Sequence, residues 1–253
     1  MATGAGWGRL VLLPRAAWPY SNDVDRTVLI TGGTGALGGA VVESFLEAGW
    51  RVVATWVVPG EADRLGVRDG LELVEADLFD EKAVAHAVDA ACADKGAPLR
   101  AVANLVGGYA AGPRVHETPV EDFERLFTLN LRPAYLVTQA ALPRLTHGGG
   151  GSIVCVSARA ALQPFPGAAG YASSKAAVIA FAKTVAAEYR DEGVRCNAIL
   201  PSVIDTPANR AAQPGADPSR WVAPAEIARV VRFLCSDDSA PVSGAAVPVY
   251  GRA

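Results

Sequence analysis

Tyr171 and Lys175 stand four residues apart in the run Tyr171-Ala172-Ser173-Ser174-Lys175. On a helix that spacing puts both side chains on one face, one turn apart. A free phenol titrates near pH ~10, so exchanging a proton near neutrality needs a downward shift of about 3 units, or about 4 kcal/mol. A lysine ammonium one turn away favours the phenolate and moves the phenol in that direction. The pair is a candidate proton donor and acceptor, although two exposed residues can share the same spacing without any chemistry.

A second pattern lies near the start of the chain, in Thr31-Gly32-Gly33-Thr34-Gly35-Ala36-Leu37-Gly38. Gly33-x-Gly35-x-x-Gly38 satisfies the dinucleotide-binding fingerprint. Its glycines allow a tight turn, close approach of backbone amides to a pyrophosphate, and a helix N-terminus that favours anions. Gly32, Thr34, Gly35, Ala36, Leu37 and Gly38 are therefore candidate cofactor contacts. The fingerprint also asks for an acid at the end of the second strand to hold the ribose hydroxyls. That position reads Ala54-Thr55-Trp56-Val57, with Trp56 where an Asp would stand. No Lys or Arg follows at once to hold a 2′-phosphate, and the nearest is Arg64. The cofactor is NAD or NADP. NAD(H) is favoured, because a dianionic phosphate without a cation is the harder group to bind.

Positioning these groups requires strands and helices in alternation. Short β-branched runs occur at Thr27–Thr31, Arg51–Val57, Leu71–Asp77, Ala101–Val106, Ser152–Ser157, Arg195–Leu200 and Ala246–Tyr250. They are mostly apolar on both faces, the signature of a parallel sheet covered on two sides. Helical patterns fall between most of them. One spans Leu37–Ala48 and stops at Gly49, which accepts φ > 0. A second opens at Thr118-Pro119-Val120-Glu121, with Thr118 predicted as cap and Glu121 as the returning partner of a capping box, and runs to about Leu145. A third covers Ala169–Arg190. Repeated βα units with right-handed crossovers predict an α/β class fold: a doubly wound, seven-stranded parallel sheet with helices on both faces, a Rossmann fold, as a single domain over residues 26–253. Residues 1–25 lack a period and are expected to form a flexible N-terminal arm.

The 253 residues are 51% hydrophobic and 19% charged, with a net charge of −3. Such a chain buries a sizeable core, and it lacks the basic balance that nucleic-acid binding needs. No nucleic-acid or membrane partner is expected, since no apolar run approaches the length of a span. Cys92, Cys155, Cys196 and Cys235 lack paired spacing and read as buried, reduced thiols, in keeping with a cytoplasmic protein. His86, His116 and His147 share no metal-ligand spacing, so no metal is expected.

Taken together and in order, these motifs resemble the short-chain dehydrogenase/reductase family over residues 26–251. Thr31–Gly38 resembles its TGxxxGxG turn, with Ala36 at the middle glycine. Asp77-Leu78 resembles the adenine-contacting pair, and Asn104-Leu105-Val106-Gly107 its NNAG motif. Asn130 falls at the catalytic Asn, and Tyr171 and Lys175 match YxxxK. Pro201, Ser202, Val203 and Thr206 cover the segment that resembles PG…T, the holder of the nicotinamide carboxamide. One position departs. Thirteen residues before Tyr171, where the family usually has a catalytic Ser, stands Ala158, with Ser157 as its neighbour. Successive strand side chains point to opposite faces, so Ser157 replaces the missing Ser only if the strand end bends. Dihydropteridine reductases also carry Ala there. Ala160-Ala161-Leu162 and Asp205-Thr206-Pro207-x-Asn209-Arg210 resemble them as well, whereas Asn104 and Asn130 resemble the 3-oxoacyl-carrier-protein reductases.

The resemblance implies hydride transfer between NAD(P) and a small-molecule carbonyl/alcohol or C=N substrate. Tyr171 would be general acid/base, Lys175 would lower its pKa and hold the nicotinamide ribose, and Asn130 would hold a connecting water. Loops at the carboxyl ends of the strands would take the substrate, with Tyr109, Gln163, Phe165 and Trp221 as lining candidates and Val203–Trp221 as a lid. The family usually forms homodimers or homotetramers, here through the long helices around 118–145 and 169–190 and through the C-terminal segment. Two other readings stay open at this point: quinonoid imine reduction of the dihydropteridine-reductase kind, and a non-catalytic NAD(P)-binding sensor or structural subunit.

Overall fold

A computed structural model describes residues 26–252. The arm expected for residues 1–25 lies outside the described residues. The described chain forms one seven-stranded sheet from β1 (Thr27–Ile30), β2 (Arg51–Trp56), β3 (Leu71–Glu75), β4 (Leu99–Asn104), β5 (Gly151–Val156), β6 (Val194–Pro201) and β7 (Ala246–Val249). Its order is β3-β2-β1-β4-β5-β6-β7, and every adjacent pair is parallel. Six helices accompany it: α1 (Ala36–Glu47), α2 (Glu81–Ala91), α3 (Val120–His147), α4 (Ala169–Glu188), α5 (Pro207–Ala212) and α6 (Pro224–Cys235).

The two faces follow from the strand period of two. On one face, Leu29, Val53, Ile153 and Cys155 pack with Val84 and Val88 of α2, Val137 and Leu145 of α3, and Val178 and Val185 of α4. On the other, Val28, Ile30, Val154 and Ile199 pack with Val41 and Phe45 of α1 and Ile227 and Val231 of α6. All four residues of β1 are buried, so neither face of this interior strand meets solvent, as its sequence predicts. From β3 the chain crosses back over β2 and β1 to add β4 on the far side. The sheet reverses its winding between β1 and β4, and a crevice opens beyond their carboxyl ends at such a switch point.

The termini of α1 and α3 test the capping expectations. Gly49 has φ +79° behind α1 and donates to Leu46 O at 2.9 Å, as its sequence position predicts. Thr118 does not cap α3. Its hydroxyl donates backward to Arg114 O at 3.0 Å and Pro113 O at 3.3 Å, closing the preceding short turn. Pro119 holds the cap position without a side-chain bond. Glu117, rather than Glu121, reaches back, accepting from Arg114 N at 3.3 Å. Of the four cysteines, Cys155, Cys196 and Cys235 are buried as expected, while Cys92 is only half-buried at the end of α2.

Candidate active site

Helix α4 carries Tyr171 and Lys175 against the end of β5. The two elements are tied reciprocally: Lys175 Nζ donates to Val156 O at 3.0 Å, and Ser157 Oγ donates to Lys175 O at 2.7 Å. Asn130 comes from the middle of α3 and is 1% exposed. Its Oδ1 accepts from Gly108 N at 2.9 Å, and its Nδ2 donates to Ser174 Oγ at 3.0 Å. Both Asn130 and Lys175 converge on Gly107. A Cβ at Gly107 would lie 2.6 Å from Asn130 Oδ1 and 2.9 Å from Lys175 Nζ, so only glycine leaves room for this arrangement. Tyr109 sets its ring edge against Tyr171 at 5.0 Å between centroids. Gly112 N donates to Gly167 O at 2.9 Å, fastening the 107–112 loop to the loop that precedes α4.

The electrostatics differ from the sequence expectation. Burial, with Tyr109 as a smaller contribution, pushes the Tyr171 phenol up to about 12 rather than down. Burial is also the main influence on Lys175, whose ammonium is pulled down to about 8. Both groups are shifted toward their neutral forms, Tyr171 half-buried and Lys175 buried, because desolvation penalises whichever form is charged. Ser157 is 2% exposed, with its hydroxyl committed to α4. Ala158 beside it is extended (φ −159°, ψ 158°) and 7% exposed.

The lysine yields a stability expectation with a definite sign. Below about pH 8, folded and unfolded chains both hold its proton, and the folded state carries the full burial cost. Between pH 8 and 10.5 the folded protein has released the proton while the unfolded chain still binds it, so this group makes stability rise with pH. Lys175→Met removes that dependence. Its stability relative to wild type should be about 3 kcal/mol more favourable at pH 7 than near pH 11, as read by urea denaturation at both values.

Next to these residues lies a cleft of about 410 Å³ at the switch point. It is lined by Gly32, Thr34, Gly35, Ala36, Leu37 and Gly38 from the turn, Trp56 at the end of β2, Asp77 and Leu78 after β3, Gly107 after β4, and Thr206. The backbone is shaped for close approach. Gly32 has φ +65°, and a Cβ there would meet Val106 Cγ2 at 2.9 Å. No side chain caps the first turn of α1, so its amide donors are open to an anion. This cradle fits the pyrophosphate of a dinucleotide.

Other candidates fall elsewhere. Asn104 is 4% exposed, donates to Thr138 Oγ1 at 3.1 Å and ties β4 to α3; it does not line the cleft. Neither do Pro201 or Val203. Among the lining candidates for substrate, only Tyr109 has a ring contact with Tyr171. Gln163 accepts from Arg159 Nε at 2.7 Å. Phe165 faces a separate apolar cavity of about 530 Å³ with Arg114 and Val115. Trp221 closes a turn, its amide donating to Pro218 O at 3.0 Å. The Val203–Trp221 segment contains α5, capped by Thr206 Oγ1, which accepts from Asn209 N at 3.1 Å. Ile204 and Val222 bridge its base.

Sequence reasoning missed Thr55, whose Oγ1 accepts from Gly32 N at 3.1 Å and braces the turn. It also missed Glu61, which lines the cleft. A signal for Glu61 existed in Val58-Pro59-Gly60-Glu61. Proline then glycine is the signature of a turn that reverses the chain, and Gly60 has φ +79° with Glu61 N donating to Val58 O at 3.1 Å.

Comparison with known proteins agrees with this geometry. A family model described as Enoyl-(Acyl carrier protein) reductase matches residues 33–251. The chain is 33% identical over 246 residues to 2-(R)-hydroxypropyl-CoM dehydrogenase of Xanthobacter autotrophicus, covering 90% of this chain and 98% of that one. It is 33% identical over 236 residues to the 3-oxoacyl-[acyl-carrier-protein] reductase MabA of Mycobacterium tuberculosis, covering 90% and 92%. A short-chain type dehydrogenase/reductase from Mycobacterium ulcerans superposes with a TM-score of 0.83 at 28% identity, over 90% of this chain and 89% of that one.

Proposed function

Since the chain belongs to the short-chain dehydrogenase/reductase family of NAD(P)-dependent oxidoreductases, we propose that it interconverts a small carbonyl compound and its alcohol with Tyr171 as the general acid and base. The observation that carries this reading is the convergence of Lys175 Nζ and Asn130 Oδ1 on Gly107, itself part of the dinucleotide cleft. The two curated relatives are named for a hydroxypropyl and an oxoacyl substrate, which supports a carbonyl/alcohol pair.

When bound, the nicotinamide ring supplies the hydride in reduction and takes it up in oxidation. In reduction Tyr171 would give its phenol proton to the carbonyl oxygen as the C=O π bond breaks. Lys175, cationic at neutral pH, would stabilise the phenolate left behind and hold the nicotinamide ribose. Asn130 holds the Gly107–Gly108 backbone and orders the water through which Tyr171 and Lys175 recover a proton. Oxidation runs the same steps backward, with the phenolate as base.

Ser157 holds Lys175 in place through the α4 carbonyl and does not touch substrate. Ser157→Ala should therefore keep most of the activity while losing about 1 kcal/mol of stability, the worth of one buried hydrogen bond. Steady-state turnover of a carbonyl panel with NADH and NADPH, alongside urea denaturation, tests this. A loss of 100-fold or more in kcat at unchanged stability would instead make Ser157 an oxyanion donor. Tight dinucleotide binding without turnover of any carbonyl or imine would favour a sensor. The buried alanine at 158 supports one second reading, a quinonoid imine substrate of the dihydropteridine-reductase kind. Such a substrate is activated enough to need a single proton donor.

In this reading the protein works in the reducing cytoplasm, consistent with its unpaired thiols. It assembles with copies of itself through α3 and α4, where Phe123 and Tyr135 are exposed and Tyr135 meets Phe181 at 5.9 Å.

A further inference from the structure

The end of β2 lacks the acid that normally holds the adenosine ribose, and Trp56 stands there instead. The structure brings a carboxylate to the same cleft from another place. Beyond Trp56 the chain turns at Pro59-Gly60 and returns, so that Glu61 joins Thr34, Trp56 and Asp77 in lining the crevice. Glu61 Oε2 accepts from Thr34 Oγ1, in the phosphate-binding turn, at 3.0 Å. Its Oε1 accepts from Arg64 Nη2 at 3.0 Å. The side chain is 31% exposed, while that of Arg64 is 67% exposed and lies outward. Among the described residues lining the cleft, Glu61 and Asp77 are the two acids, and no Lys or Arg lines it. Asp77 is occupied locally, accepting from Phe79 N at 2.9 Å.

We propose that Glu61 is the cofactor-discriminating residue: its carboxylate accepts hydrogen bonds from the adenosine ribose hydroxyls of NAD(H) and excludes NADP(H). Each carboxylate oxygen has acceptor capacity beyond the bond it already receives. The Thr34 bond holds the carboxylate against the phosphate-binding turn, on the wall of the crevice where the adenosine half of a dinucleotide lies. A 2′-phosphate would bring two negative charges against a carboxylate that is restrained from swinging away. Arg64 reduces this repulsion only in part, because it is solvated and already bonded to the same carboxylate. The inference rests on the dinucleotide cleft of the reading above and is independent of which residue moves the proton.

Titration calorimetry with NADH and NADPH on the full chain tests it without any turnover. Wild type should bind NADH about 30-fold or more tighter than NADPH, the effect expected of one like-charge clash. Glu61→Gln keeps the size and the acceptor for Thr34 but removes the charge. Its preference should fall to within a few-fold, chiefly because NADPH tightens. Glu61→Asp should keep the sign of the preference, and Arg64→Gln should leave NADH tighter. A preference for NADPH in wild type that Arg64→Gln abolishes would overturn the proposal and make Arg64 a phosphate ligand. An unchanged ratio in Glu61→Gln would overturn it as well. Binding of neither dinucleotide would remove the cleft reading itself, whereas discrimination without turnover would leave this inference standing and remove only the catalytic one.

Discussion

Tyr171→Phe should lower kcat by about 10²–10⁴-fold, the usual contribution of a positioned general acid, with dinucleotide binding intact. The substitution keeps the ring that packs edge-on to Tyr109 and deletes only the hydroxyl that carries the proton. The phenol's position near pH 12 also sets the pH behaviour. In the reducing direction the proton-bearing form is present throughout the physiological range, so ionisation of Tyr171 does not limit the rate there. In the oxidising direction the phenolate is scarce. Its population rises tenfold per pH unit, and kcat/KM should climb by about tenfold per unit between about pH 6 and 8. Measuring both directions across that interval, for wild type and Tyr171→Phe, checks the assignment. A phenylalanine variant within a few-fold of wild type, or one that keeps the climb, would show that another group moves the proton.

The second large effect belongs to Gly38. A Cβ there would lie 2.0 Å from Gly32 O and 2.8 Å from Gly33 Cα. Both obstacles are backbone in the same turn, so no side chain can swing aside, and relief requires the phosphate-binding turn to open. Gly38→Ala should therefore abolish measurable NADH binding and cost about 1–3 kcal/mol of stability, the range for forced overpacking. The neighbouring Gly39→Ala is the control. A Cβ there meets nothing closer than Leu65 Cδ2 at 3.8 Å, and alanine in a helix interior is worth up to about 1 kcal/mol over glycine. Two identical substitutions one residue apart should thus move stability in opposite directions. Urea denaturation and calorimetric titration of both variants read this out, and equal effects would mean that the turn is not packed as described.

Much of this protein is legible in its sequence. The β1 strand, the glycine turn and the opening of α1 are contiguous, and local rules of strand period and glycine conformation suffice to read them. Tyr171 and Lys175 were legible for the same reason, since one helical turn fixes their spacing. The cap of α3 is not legible in the same way, because the upstream turn at 113–117 takes the Thr118 hydroxyl. Asn104 matched a motif yet was drawn into the core by Thr138, 34 residues away.

In the sequence alone one can read the fold class, the place of the glycine turn and the candidate proton-transfer pair, Tyr171 and Lys175. These depend on periodicity and on spacings within a few residues. How those parts are tuned emerges only on folding. Folding commits Ser157 to the carbonyl of Lys175, carries Glu61 back to a cleft whose own strand end lacks an acid, buries Lys175 and half-buries Tyr171. Each of these depends on distances between segments far apart in the chain and on the solvent they exclude, and neither quantity is encoded at any single position.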